Sequence, residues 1–265
     1  MGDVDYGQWG KKINKNEINY FRDIPCKKDI NRAYFVATLY GLNKKKEDFL
    51  GTVFLKWLNE EKITIVETPA SFLSKSKNSI DLKIKEQKSF SNQLEKDLYD
   101  MIVEASKDGI LENKEFEKWC SKNYSKILGW FDKVLKEEKN KLILDGSLVE
   151  TEQVKFKIFK SKVYQVQYSL REEAEYLAGL KKFLIDFSEM KNKEAIEVHL
   201  WKEYLMFAQI FGIANKVAKQ FKNLYPDLIT DMSYDNIIFV NNIAYTGVSQ
   251  AVSARSRAQS YSSGG

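Results

Sequence analysis

Eight lysines are the residues of this chain best placed to act together. Lys75, Lys77, Lys83 and Lys85 fall in and beside one alternating stretch, and Lys155, Lys157, Lys160 and Lys162 fall in another. Ammonium groups at every second position of a strand stand on one face as a row of point charges, suited to phosphate or to carboxylates. Neighbouring charges work against phosphate. Glu47, Asp48, Glu60 and Glu61 bracket the helix beside the first row, while Asp132, Glu137 and Glu138 mix with Lys126, Lys133 and Lys136 near the second. A nucleic-acid surface needs basic charge that is not interleaved with acid. The lysines are therefore candidates for an interaction surface, with a protein partner favoured over DNA or RNA.

Other reactive residue types are sparse. His199 is the single histidine, so no multi-histidine metal site can form, and no serine or cysteine partner is suggested for it. Cys26 and Cys120 form no CxxC pair, and two reduced thiols are the simple expectation. The phosphate-binding loop GxxxxGK[ST], the dinucleotide turn GxGxxG, HExxH and GxSxG are all missing. The stretch "EASKDGILENKE" at 104–115 can be laid on a calcium loop, with Gly109 at the sharp turn. Glu104 and Ser106 sit where short carboxylates belong, so the stretch reads better as an Asp108–Gly109 turn into a short strand and helix. No catalytic residue, cofactor or metal is expected.

The totals fit an ordinary folded chain. Its 265 residues allow about two domains, and 43% apolar content with 13% aromatic residues can fill real cores. Forty-two basic against 37 acidic residues leave a net charge of only +5. "MGDVDYGQWG" has no apolar centre, so no secretory signal is read there. The densest apolar run, "YLMFAQIFGIA", is too short to span a bilayer and is flanked by Lys202 and Lys216.

The elements that must position these residues follow from periodicity. Residues 1–28 read as an extended polar lead-in, with Pro25 biasing Ile24 to extended backbone. Asp29 caps a helix over 30–41 that Gly41 ends. In the next helix Leu50, Val53, Phe54, Trp57 and Leu58 share a face. "ITIVE" and "IDLKIKE" then alternate as a hairpin, and residues 29–88 outline a winged helix. The outline recurs over 89–168: helices at "NQLEKDLYDMIVEA", "ENKEFEKWC" and "YSKILGWFDKVLKEEKNKL", then strands at "VKFKIF" and "VYQVQYS". Residues 169–228 form a helical module. Its first helix aligns Leu177, Leu180, Leu184 and Phe187. Two rotated stripes follow, Trp201, Tyr204, Leu205, Ala208 and Phe211, then Ala214, Val217, Ala218 and Phe221, which predicts two short helices jointed at Gly212. Residues 229–265, small and polar apart from a short strand at "IIFV", read as a low-complexity tail. The fold class is mostly helical α+β.

The run "LKKFLIDFSEM…LWKEYLMFAQIFGIANKVAKQF" resembles the C-terminal signature of the YciQ-like predicted membrane proteins, a family of unknown function. "NYFRDIP" at 19–25 resembles the start of their C-terminal region. The resemblance implies a cytoplasmic region joined to the membrane through a segment absent from this chain, and it implies no activity. The expectation is a non-enzymatic interaction or assembly module at the cytoplasmic face of the membrane. The alternative is a membrane-tethered nucleic-acid-binding regulator.

Overall fold

In the computed structural model, regular structure starts and stops where local chemistry says it should. The structure describes residues 2–14, 16–43, 45–68, 79–86, 89–106, 108–155, 159–187, 200–224 and 234–262. Helix α1 (Ile30–Tyr40) opens with the Asp29 carboxylate accepting from the Asn31 and Arg32 amides, and closes at Gly41 with φ 69°. Among the described residues there are nine α-helices and two three-stranded sheets. The chain divides into two compact units, residues 1–44 with 134–220, and residues 45–133 with 221–265.

The first unit holds β1 (Asp3–Asp5), α1, the later part of α5 (Tyr124–Leu144), β5 (Leu148–Lys155) and β6 (Phe159–Val166). It also holds α6 (Tyr168–Asp186), α7 (Trp201–Ile210) and the start of α8 (Ala214–Leu224). Its sheet runs β1-β6-β5: β5 and β6 are antiparallel with Leu148 opposite Val166, and β1 joins β6 in parallel, Asp3 opposite Val163. Leu177, Leu180, Leu184 and Phe187 are buried on α6, as their spacing implies. The two stripes at 201–221 fall on separate helices, α7 and α8, and Gly212 between them has φ 67°, a left-handed conformation that an L side chain resists.

The second unit holds α2 (Lys46–Asn59), β2 (Ile63–Thr68), β3 (Ser79–Ile84) and α3 (Gln93–Ser106). β4 (Ile110–Leu111), α4 (Asn113–Lys122), the first part of α5 and α9 (Tyr234–Ser262) complete it. Its sheet runs β2-β3-β4 and is antiparallel throughout. Phe49 stacks on Trp130 at 5.7 Å, and the Trp130 indole donates to the Leu94 carbonyl at 2.9 Å. Buried Glu95 ties the sheet side to the helices. It accepts from Lys62 Nζ (2.6 Å), Lys56 Nζ (2.9 Å), Trp57 Nε1 (2.9 Å) and the Ser91 amide (2.8 Å). Burial opposes its ionisation, but the hydrogen bonds from Lys62 and Lys56 outweigh it and hold the carboxyl well below the usual carboxylate range.

Three expectations are corrected. The third strand of each sheet comes from across the expected domain boundary. β1, from the expected lead-in, completes the β5–β6 sheet, and β4, from the second expected repeat, completes the β2–β3 sheet. Strand β5 begins at Leu148, six residues before the expected start. Its exposed Glu150, Thr151, Glu152 and Gln153 give no apolar alternation to read. Most of the expected tail is a 29-residue helix, α9, and the expected strand at 237–240 lies within it. Its buried stripe is Ile237, Val240, Ile243, Ala244, Val248, Ala251 and Ala254, in which the β-branched residues at the start read as a strand and the alanines towards the end do not stand out in the sequence. Gly247 belongs to the stripe because a Cβ there would meet the Phe116 ring at 2.4 Å.

Two outcomes follow. Gly247→Val should destabilise the chain by about 2–3 kcal/mol through overpacking against Phe116, read by urea unfolding. Glu95→Gln should cost about 3 kcal/mol at neutral pH, since two ammonium groups lose their shared anion. Because the folded-state pKa of Glu95 is depressed, its contribution is present above the ordinary carboxylate pKa of about 4.3 and is lost as pH falls through the folded value. The gap between wild type and variant should therefore narrow in acid.

Candidate functional site

The described residues between 10 and 25 of the first unit have no strand or helix of their own, so their main-chain groups pair with water or with side chains from elsewhere in the unit. Helices α6 and α7 supply those side chains. Arg171 Nη1 donates to the Gly10 carbonyl (3.0 Å), Lys182 Nζ to the Ile18 carbonyl (2.9 Å) and the Tyr204 hydroxyl to the Arg22 carbonyl (2.6 Å). Side-chain contacts fill the gaps. Phe21 stacks on Tyr176 at 4.4 Å, Arg22 lies over the Phe183 ring at 5.6 Å, and the Tyr20 hydroxyl donates to Asp186 at 3.2 Å. At the centre of α6 the arm's backbone comes so close that a Cβ on Gly179 would lie 2.7 Å from the Asn19 carbonyl oxygen.

This is the geometry of a bound peptide: main-chain groups give adhesion, and a few side chains give register. A cleft of about 350 Å³ remains between arm and helix, lined by Asn14, Glu17, Asn19, Arg171, Glu175 and Tyr176. Arg171 is buried and is fixed by Glu175 (2.8 Å).

The arm ends in an unusual turn. Cys26, Lys27 and Lys28 have φ of 54°, 53° and 64°, three consecutive left-handed residues without a glycine. The turn is braced on its α1 side. Arg32 Nε donates to Glu173 (2.8 Å) and Arg32 Nη1 to Asp145 (2.7 Å), while Lys28 pairs with Glu203 (3.2 Å). Burial works against ionised Asp145, but hydrogen bonds from Arg32 and Ser147 hold it below the usual range. Burial pushes the Cys26 thiol well up, reinforced by nearby Glu173, and burial likewise raises Cys120. Both thiols stay protonated at neutral pH and make poor nucleophiles.

The residues singled out from sequence fall into groups. Trp201, Tyr204, Leu205, Ala208 and Phe211 are all buried, and Gly212 makes the joint after α7. Of these, Tyr204 also reaches the arm. Where the lysine rows are described, two members lie beside carboxylates and a third is exposed. Lys162 pairs with Glu150 across the β5–β6 ladder at 2.6 Å, and Lys85 pairs with Glu61 at 3.6 Å. Lys83 is exposed on β3. Lys155 and Lys160 lie in β5 and β6, whereas Lys75, Lys77, Lys157 and His199 fall outside the described residues. Glu104 of the calcium-like stretch pairs with Lys126 at 3.1 Å, and Asp108 accepts from the Ile110 amide in the turn that enters β4. Of the carbonyl-capturing set, Tyr204 was read from the sequence only as part of an apolar stripe, and Arg171 and Lys182 were missed. Their signal was weak, because cations on an amphipathic helix look like ordinary solvated face.

Residues 156–221 match the family model described as the C-terminal domain of a predicted membrane protein, DUF2207. The chain is similar to that family over this stretch; the signature at 200–221 lies inside it, whereas "NYFRDIP" lies before it. Comparisons with curated proteins and with solved structures gave no match. Among the described residues, no helix is long and apolar enough to cross a membrane.

Removing the Tyr204 hydroxyl (Tyr204→Phe) should remove its hydrogen bond to the Arg22 carbonyl and cost about 1 kcal/mol. Hydrogen exchange of amides 18–23 should then speed up roughly fivefold. Gly179→Val should release the arm further, and cleavage of residues 10–22 by a protease would report it.

Proposed function

We propose that this chain is a non-enzymatic binding and assembly region of a membrane-anchored protein, placed at the cytoplasmic face. The observation that carries the reading is the grip of α6 and α7 on an extended segment through its main-chain carbonyls. Such a surface recognises polypeptide, since it reads backbone groups that every protein segment has. Strand β5, at the edge of its sheet, offers a second polypeptide-type surface, with exposed Val149 beside Glu150 and Glu152. On this reading each hairpin with its added third strand serves as a winged-helix-like unit used for protein contact. The pairing of Lys162 with Glu150 and of Lys85 with Glu61 favours protein over phosphate, because a neutralised lysine releases no counterions on binding nucleic acid.

A photo-crosslinking residue at Val149 or at Tyr176 checks this in membrane preparations. Polypeptide adducts at either position are expected. Separately, duplex DNA should give no salt-sensitive rise in fluorescence anisotropy. Salt-dependent binding that disappears in a Lys83→Glu, Lys85→Glu, Lys162→Glu variant would replace this reading with the nucleic-acid one.

A further inference from the structure

We infer that the arm, residues 2–25, exchanges between two copies of this chain, each copy's α6–α7 surface holding the arm of the other. The inference rests on the polypeptide-binding reading above and names its partner.

Three observations lead to it. The arm behaves as a ligand: among the described residues from 10 to 25 the bonds internal to it are short-range, the Glu17 amide to the Asn14 carbonyl, the Asn16 amide to Asn14 Oδ1 and Asn14 Nδ2 to the Glu17 carboxylate. The long-range contacts described for it run to the rest of the first unit. Besides the carbonyl grip, these include β1 on β6, the Tyr6 hydroxyl on the Leu39 carbonyl at 2.9 Å, and Trp9 near Tyr168 at 6.1 Å. A second copy presents every one of these partners unchanged, so exchange keeps them all and gives up only the bonds that close the hinge.

The second observation is the hinge. Pro25 is extended, and Cys26, Lys27 and Lys28 are then forced left-handed, each bringing its Cβ against the following carbonyl. The turn is closed by the Lys28 amide on the Pro25 carbonyl (3.1 Å) and the Asp29 amide on the Cys26 carbonyl (2.9 Å). Opening it to ordinary extended backbone relieves three unfavourable conformations and sends the arm away from its own helices. A short, strained hinge next to a segment with ligand-like contacts is the arrangement that promotes exchange.

The third is the bracing after the hinge. Arg32, with Glu173 and Asp145, holds α1 to its own unit independently of where the arm goes. The body that receives a foreign arm is therefore already built.

The test is co-refolding of the whole chain from denaturant at high and low concentration, sized by light scattering. The wild type should yield a dimer fraction that rises with protein concentration. Lys27→Gly, which accepts a positive φ freely, should weaken the dimer about fivefold per hinge, hence about 25-fold for its two hinges. Lys27→Pro, whose φ cannot be positive, should make dimer the main species. To locate the arm, a Phe21→Cys chain and a Tyr176→Cys chain are mixed, co-refolded and treated with a short bismaleimide. Phe21 and Tyr176 stack at 4.4 Å, so exchange predicts an adduct between the two chains. The buried, protonated Cys26 and Cys120 give little background, and each chain alone provides the control. Monomer in every sample, the proline variant included, overturns arm exchange, as does a dimer without the adduct. Either result leaves crosslinks to foreign polypeptide as the separate measure of the binding reading.

Discussion

Main-chain carbonyls without secondary structure are the constraint on which the first unit depends. Where the arm's carbonyls turn from water towards α6 and α7 they need replacement partners, since a carbonyl left unpaired away from water costs about as much as a lost hydrogen bond. Residues 10–25 borrow them from Arg171, Lys182 and Tyr204. That requirement explains several otherwise unrelated features. Gly179 has no side chain because the arm's backbone lies against the helix there. Arg171 can be buried because it is paired with Glu175 and spends another donor on Gly10.

In the second unit the equivalent constraint is a buried charge. Glu95 is enclosed and would be costly alone, so two lysines, an indole and a backbone amide converge on it. The result joins α2, the start of β2 and α3 through one carboxylate. The apolar side of the same unit shows the opposite economy: α9 approaches α4 through glycine and alanine, so contact comes from backbone proximity and the Phe116 ring.

Much of the fold was legible because it follows from local rules. Asp29 and Gly41 mark both ends of α1, and the change of stripe at Gly212 marks the break between α7 and α8. Large aromatic and aliphatic residues at helical spacing, Phe54 and Trp57 or Leu180 and Leu184, are buried where their period puts them. Helix α9 was hidden for a matching reason: its early buried residues, Ile237 and Val240, are β-branched and read as a strand, while its later ones are mostly alanine and its exposed ones, such as Arg255 and Ser256, resemble a polar linker. Strand β5 was displaced for another, because an exposed edge strand carries polar side chains on positions that an apolar alternation would otherwise mark.

What the sequence by itself determined is therefore the set of elements whose signal lies within a few residues: caps, stripes, the glycine joint and the resemblance at 200–221. Tertiary structure alone decided which distant elements meet. It placed β1 beside β6 and β4 beside β3, brought Tyr204 to Arg22, and assembled Arg32, Glu173 and Asp145 around one turn. The physical reason is range. A hydrogen bond from a lysine or tyrosine to a backbone carbonyl leaves no mark at the accepting residue, because every residue carries the same carbonyl. The grip on the arm, which carries the functional reading, is therefore invisible in the very residues that are gripped.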